Sequence, residues 1–354
     1  NFFFYLIYIY FGSLILNIML NTGDNFSYER QIGFLRFVFF VLAINYFLTF
    51  DKKKYLNLVL KIWTILFFIV CFDVVFEFIF GFNTLGYKSY MPGRIASFLN
   101  GELKIGNFIY GFGFIALSYI INKNRLNFST LAILTVVIIS FLIGERSNFI
   151  KVLIGCSLLL IFLKHPTPKV KLLIAAVILI FTVSMAHYNK NINDRLLQIT
   201  TPVKEMGLIN YIKSSHYGAH YDTAFKIFLN NKVFGIGLKQ FRYESAKKIY
   251  KNNPNNVYKR DNWATHPHQT HFEILSETGL FGYAMFISLF LLALYKGFAI
   301  FLKNRNIYLL SGLLFVFTSL LPILPSGSFF TTYTASIFWL NFSLITIFSS
   351  SIRD

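Results

Sequence analysis

Three histidines fall within six residues, His266, His268 and His271, inside the stretch from Trp263 to Gly282. They lie where a long polar segment gives way to an apolar one. Thr270 and Glu273 have the S/T-x-x-E spacing of a capping box, which predicts a helix beginning at Thr270. His268 then stands just ahead of a helix N-terminus, whose partial positive charge favours anions and disfavours an imidazolium. A neutral imidazole in that place can serve as a general base. The same H-x-H-x-x-H pattern also suits a metal cluster or plain surface histidines. Spacing alone leaves the three open.

Arginines supply the second kind of chemistry. Arg146 lies in Gly144-Glu-Arg-Ser-Asn148, a minimal break between two apolar runs. Ionisable groups at such depth are functional candidates by default, the alternative being a side chain that snorkels to the surface. Arg94 follows Pro92 and Gly93 in a turn. Guanidinium groups bind phosphate bidentately and keep their charge. Asp73 and Glu77, four residues apart in an apolar run, share one helical face and suit hydrogen bonds within the bundle. Glu102 reads as a boundary charge.

The elements that must position these residues are membrane helices. Of 354 residues, 55% are hydrophobic and 19% aromatic, too apolar for a soluble domain of this length. The reading is an all-α, polytopic transmembrane protein with about ten spans by hydropathy. They are placed at 1–20, 34–50, 55–80, 103–122, 129–143, 149–164, 170–187, 276–302, 307–323 and 334–350. The chain opens at Asn1 inside an apolar run, which predicts that one or two spans precede it. Cys71 and Cys156 fall in apolar runs and read as buried small hydrophobes, not as a disulfide or a zinc site.

Short basic clusters at 51–54, 123–125, 164–169 and 303–305, with Arg353, share one side if the ten spans alternate. The positive-inside rule makes that side cytoplasmic. Segments 21–33, 81–102, 144–148, 188–270 and 324–333 then face outward. Three parts follow: helices over 1–187, a large external loop with short helices over 188–270, and helices over 271–354. Asp222 to Leu229 predicts a short amphipathic helix in that loop. The chain has 33 Lys and Arg against 15 Asp and Glu, which suits a cytoplasmic anchor and anionic ligands; no basic soluble domain points to nucleic acid. There is no P-loop, no GxGxxG and no Asp-x-Asp pair. Arg94, Arg146, His216, His220 and His268 all fall outside. One neutral histidine with arginines suits transfer of a group carried on pyrophosphate.

The ordered set of motifs resembles the O-antigen polymerase and O-antigen ligase superfamily of bacterial envelopes. His268-Gln269 is followed by nine residues and then Gly279-Leu-Phe-Gly282. His266-Pro267, Glu277-Thr-Gly279, Phe234 to Arg242 and His216-Tyr-Gly-Ala-His220 resemble the polymerase branch. So do Asp73, Gly81-Phe-Asn83, Arg94 to Phe98, Glu102 and Gly144-Glu-Arg-Ser147. Gln269 stands where Asn is commoner, and histidines stand at 216–221 where ligases carry an arginine.

The resemblance implies a lipid-donor (GT-C-like) glycosyltransferase in the bacterial inner membrane, with its active site facing the periplasm and the long loop as a lid. It needs no metal and no cofactor. The donor and acceptor are undecaprenyl-pyrophosphate-linked glycans, extended into O-antigen or a related surface polysaccharide. A chain-length regulator is a candidate partner, and membrane lipid surrounds the chain. His268, Arg146 and Arg94 are the expected catalytic residues; His216, His220, Arg242, His266, Gln269 and Glu277 are expected to bind substrate. The alternatives are a ligase that transfers the glycan to lipid A-core, and a flippase for polyprenyl-linked sugar that does no bond chemistry.

Overall fold

The structure is a computed structural model that describes residues 2–21, 25–50, 55–123, 126–251 and 263–349. The basic cluster at 51–54, Arg125 and Arg353 lie outside the described residues. The described chain is helical, without β-strands. Its helices are α1 (Phe2–Leu20), α2 (Asn25–Phe34), α3 (Arg36–Phe50), α4 (Asn57–Phe80), α5 (Ile105–Lys123), α6 (Leu126–Leu142), α7 (Arg146–Phe162) and α8 (Pro168–Tyr188). After these come α9 (Lys190–Met206), α10 (Leu208–Ser214), α11 (His216–Asn230), α12 (Phe241–Glu244), α13 (Lys248–Lys251), α14 (Thr270–Asn304), α15 (Ile307–Ser319) and α16 (Thr332–Ser349).

Each of the ten expected spans falls on a helix, but not all are long and apolar enough to cross a membrane. Among the described residues six stretches are: Phe2–Leu20, Glu29–Phe50, Asn57–Phe80, Ile105–Lys123, Pro168–Tyr188 and Thr270–Asn304. Phe128–Leu142 and Ile307–Ser319 are apolar but shorter. Only six of the ten expected spans therefore have that length and composition among the described residues. The reason is local: α7 opens on Arg146, Ser147 and Asn148 and carries Lys151, while α16 carries Thr332, Thr334, Asn341 and Thr346. Those residues interrupt the apolar length that a span needs.

The chain divides into two compact units. The first comprises Asn1–Ile44, Pro202–Ala299 and Leu320–Leu340. Its core is aromatic: Phe11 stacks on Phe34 at 5.8 Å, Phe34 meets Phe330 edge-on at 4.9 Å, and Trp339 is fully buried beside Phe11 at 5.2 Å. Rings in offset or edge-on contact add specific attraction to their buried area. From α1, Asn17 Nδ2 donates to the Phe234 carbonyl at 2.5 Å and so ties down the segment after α11.

The second unit comprises Asn45–Thr201, Ile300–Ser319 and Asn341–Asp354. Here polar atoms bond between helices, as an apolar surrounding requires. The Tyr110 hydroxyl donates to the Phe315 carbonyl at 2.8 Å, and Ser311 Oγ to the Phe114 carbonyl at 2.5 Å. α4 ends at Gly81, whose φ of 77° closes the helix in the left-handed region. Of α8 only Ile174 is buried, so this helix offers nearly its whole surface outward from its unit.

Candidate functional site

The first unit is built around the start of α14. Gln269, not Thr270, caps it: Gln269 Oε1 accepts from Phe272 N–H at 3.0 Å, and Gln269 O accepts from Glu273 N–H at 3.0 Å. The expected Thr270–Glu273 capping box does not form. The Thr270 hydroxyl instead meets Ser326 Oγ at 3.0 Å, and the Glu273 carboxylate accepts from the Ser328 hydroxyl and, at 2.7 Å, from Phe329 N–H. A partner distant in sequence outcompetes the local one.

Three turns on, α14 breaks at Gly279, with φ 65° and ψ −168°, backbone that essentially only glycine adopts. The segment after α11 supplies the bonds the break leaves open. Leu280 N–H donates to the Lys232 carbonyl at 2.8 Å and Phe281 N–H to the Val233 carbonyl at 3.1 Å. In return Ile236 and Gly237 N–H donate to the Ser276 and Glu277 carbonyls at 3.2 and 2.8 Å. A Cβ on Gly279 would fall onto the Val233 carbonyl oxygen. Glu277 completes the joint, its carboxylate accepting from Lys239 N–H at 2.6 Å and Phe241 N–H at 3.1 Å.

His268 precedes this helix with φ 59°, a left-handed conformation uncommon outside glycine. α11, longer than the sequence predicts, delivers two more histidines. Ser215 caps it by accepting from Gly218 N–H at 3.0 Å, and His216 and His220 lie one turn apart on one face. The ring of His220 stacks on His268 at 5.3 Å, His266 lies 4.0 Å from His268, His216 lies 4.3 Å from His220, and Tyr217 meets His268 edge-on at 5.4 Å. Among the described residues, no three His, Cys, Asp or Glu side chains are placed to hold a metal ion.

Burial sets the protonation of the cluster. It pushes His268 down to about 4, with His216 adding repulsion. Burial likewise takes His220 down to about 3, helped by His216 and His268. His266 also falls to about 3, by burial and then by the charges of His268, His220 and Arg242. All three are therefore neutral near pH 7. Both ring nitrogens of His220, His266 Nε2 and Arg242 Nε are buried without a hydrogen-bond partner. Such atoms are costly unless a ligand or water meets them.

His271 is different. Its Nε2 donates to the Leu320 carbonyl at 2.8 Å and its Nδ1 lies 3.2 Å from the Tyr283 hydroxyl, so both nitrogens are held by the protein. Gln269 and Glu277, expected to touch substrate, are buried and bonded to backbone of their own surroundings. Arg242 sits on the short α12, its carbonyl accepting from Trp263 Nε1 at 2.9 Å.

Arg94 and Arg146 belong to the second unit. Arg94 Nη2 pairs with Glu145 Oε1 at 2.6 Å and donates to the Leu103 carbonyl at 2.9 Å. Arg146 Nη1 donates to the Arg195 carbonyl at 3.0 Å, and Arg195 Nη2 to the Gly144 carbonyl at 3.1 Å. Arg195 is a third arginine at this place that motif spacing did not single out, because it lies in the amphipathic α9, far from any motif. Asp73 and Glu77 prove to be loop anchors. Thr84 N–H and hydroxyl and Ser97 Oγ donate to Asp73, and Ser97 N–H donates to Glu77 at 2.6 Å. Glu102 pairs with Lys104 at the surface, as a boundary charge does.

Fold and cluster define a polytopic, all-helical membrane protein with a desolvated set of neutral histidines and, in the same unit, the Arg242 guanidinium. Residues 131–287 match the family model described as O-antigen ligase, so this part of the chain is similar to that family. The match supports a role in membrane glycan processing, in O-antigen or surface polysaccharide synthesis, and members of that family are glycosyltransferase-like enzymes. The fold is shared with a chain of the structure titled "Structural coordination of polymerization and crosslinking by a peptidoglycan synthase complex". That chain has a TM-score of 0.50 at 14% identity, over 99% of this chain and 98% of its own. The sequence matches no curated protein.

Proposed function

We propose that the protein polymerises undecaprenyl-pyrophosphate-linked oligosaccharide repeat units at the periplasmic face of the inner membrane. The observation that carries this is His268, neutral, half-buried and held at the start of α14 among His216, His220 and His266. In the reaction, His268 takes the proton of an acceptor sugar hydroxyl as its oxygen bonds to the anomeric carbon of the donor sugar. The bond from that carbon to the pyrophosphate oxygen breaks, and undecaprenyl pyrophosphate leaves with the electron pair. A histidine depressed to about 4 is a weak base, but an anionic pyrophosphate beside it favours the imidazolium as it forms. Guanidinium groups carry the charge that develops on the leaving group. Arg242 stands in the same unit as His268; Arg94 and Arg146 keep the role the family resemblance assigns. No metal takes part, and a chain-length regulator is the expected partner.

The ligase reading stays as the second, since the matching family model bears that description. One assay separates the readings. Purified protein given lipid-linked repeats should form a ladder of longer chains, also in the presence of a chelator. His268→Ala, inserted at the normal level, should lose activity by about 10²–10⁴-fold, the usual contribution of a general base. Product only on added lipid A-core would make the protein a ligase, and translocation without new bonds a flippase. A normal ladder from His268→Ala would overturn the assignment of the base.

A further inference from the structure

Glu273 takes no part in the chemistry above, yet it is buried and fully engaged. Its Oε1 accepts from the Ser328 hydroxyl and its Oε2 from Phe329 N–H at 2.7 Å. Two residues before Ser328, Ser326 N–H donates to the His268 carbonyl at 2.8 Å. Ser326 Oγ also meets Thr270 Oγ1 at 3.0 Å. The segment after α15 is therefore pinned to α14 at Glu273 and holds, in turn, the backbone of His268. That backbone has φ 59°, which a side-chain-bearing residue keeps only where its surroundings define it. The helix start does not need Glu273, because Gln269 caps it. Glu277 cannot substitute, because its carboxylate is taken by Lys239 and Phe241 N–H.

We infer that Glu273 is a positioning residue: its carboxylate holds segment 326–329, and Ser326 of that segment holds His268 so that its ring faces His220 and Tyr217. The inference rests on His268 being the general base. It predicts a coupling between two sites in the sequence that no local pattern announces. A buried carboxylate with two donors is hard to replace by an apolar group, since both donors are then left unpaired.

The test reads the ring of His268 directly. Diethyl pyrocarbonate modifies accessible neutral imidazoles, and mass spectrometry resolves the rate at each histidine in the membrane-embedded protein. In Glu273→Ala the rate at half-buried His268 should rise several-fold, while exposed His187 stays at its wild-type rate and serves as the reference. In the polymerisation assay kcat should fall about tenfold to a hundredfold with KM little changed, as when a reacting group is slightly misplaced. Glu273→Gln should stay near wild type in both readouts, because its amide oxygen accepts from Phe329 N–H and its amide nitrogen donates to the Ser328 hydroxyl. An inserted Glu273→Ala protein with an unchanged His268 rate overturns the inference. Should that variant not accumulate, Ser328→Ala decides instead: it removes one donor, and an unchanged His268 rate overturns the inference equally. Failure of the general-base reading would appear separately, as normal polymerisation by His268→Ala, and would leave the modification rates as they are.

Discussion

At the scale of the residue, His268 is held in two ways that an ordinary loop histidine is not. Its backbone sits in the left-handed region at a cost of about 1–3 kcal/mol, and its ring is desolvated. Both are sustained by bonds from elsewhere, the Ser326 N–H above all. Desolvation has a consequence for pH. His268, His220 and His266 all lie below the ordinary value of 6.5 when folded, so the unfolded chain binds more protons as pH falls. Stability therefore declines below about pH 6.5 and stops declining once pH is below the folded values. The base itself stays neutral further down. The pH–rate profile of free enzyme, kcat/KM against pH, should then keep its plateau through pH 6 and fall near pH 4. A midpoint at 6.5 would mean that the ring is solvated as in an open loop. His271→Ala should lower stability rather than shift this limb, because its nitrogens serve Leu320 and Tyr283.

At the scale of the element, one device recurs. Asp73 and Glu77 on α4, and Glu273 and Glu277 on α14, are pairs of carboxylates one helical turn apart whose oxygens collect donors from loops. Each pair lets a helix fix an irregular segment that would otherwise leave N–H groups unpaired. The sequence shows these pairs as acids on one face of an apolar helix, but it does not show which loop each serves. Ser328 lies 55 residues from Glu273. For the same reason the S/T-x-x-E pattern at Thr270 misleads: the helix start is legible, while the true cap and the true partner of Glu273 depend on packing. The spacing from His268 to Gly279 is legible too, while the break in α14 that it serves appears only in the structure. Gly279→Ala should therefore reduce the folded, inserted protein strongly, since this glycine-only backbone alone costs an alanine about 1–3 kcal/mol and its Cβ meets the Val233 carbonyl. Gly282→Ala should be milder, because its backbone lies outside the positive-φ region and adds no strain, although its Cβ would crowd the Thr278 Cβ and Oγ1. Thermal melts in detergent would show the order, and equal losses would argue against the break as the reason for Gly279.

At the scale of the whole molecule, orientation decides whether the histidines face the lipid-linked glycan. The helices that fall short as spans come in neighbouring pairs along the chain, α6 with α7 and α15 with α16. Whether such a pair crosses the bilayer or turns back within it, every later loop keeps its side. The parity that puts the basic clusters together therefore does not depend on ten full crossings. If Lys and Arg are retained inside, loops 81–104 and 189–269 should lie outside and loops 163–167 and 305–306 inside. Cysteine scanning tests this well, because Cys71 and Cys156 are both buried and stay silent toward a membrane-impermeant thiol reagent. Lys88→Cys and Lys204→Cys place thiols at exposed positions of the two outer segments, and Lys164→Cys and Asn304→Cys at exposed positions near the inner loops. In intact cells the first two should label and the last two should not, while lysed cells should label all four. Labelling of Lys164→Cys or Asn304→Cys in intact cells would invert the molecule. His268 would then face the cytoplasm, where a polymerase acting on translocated repeats could not use it.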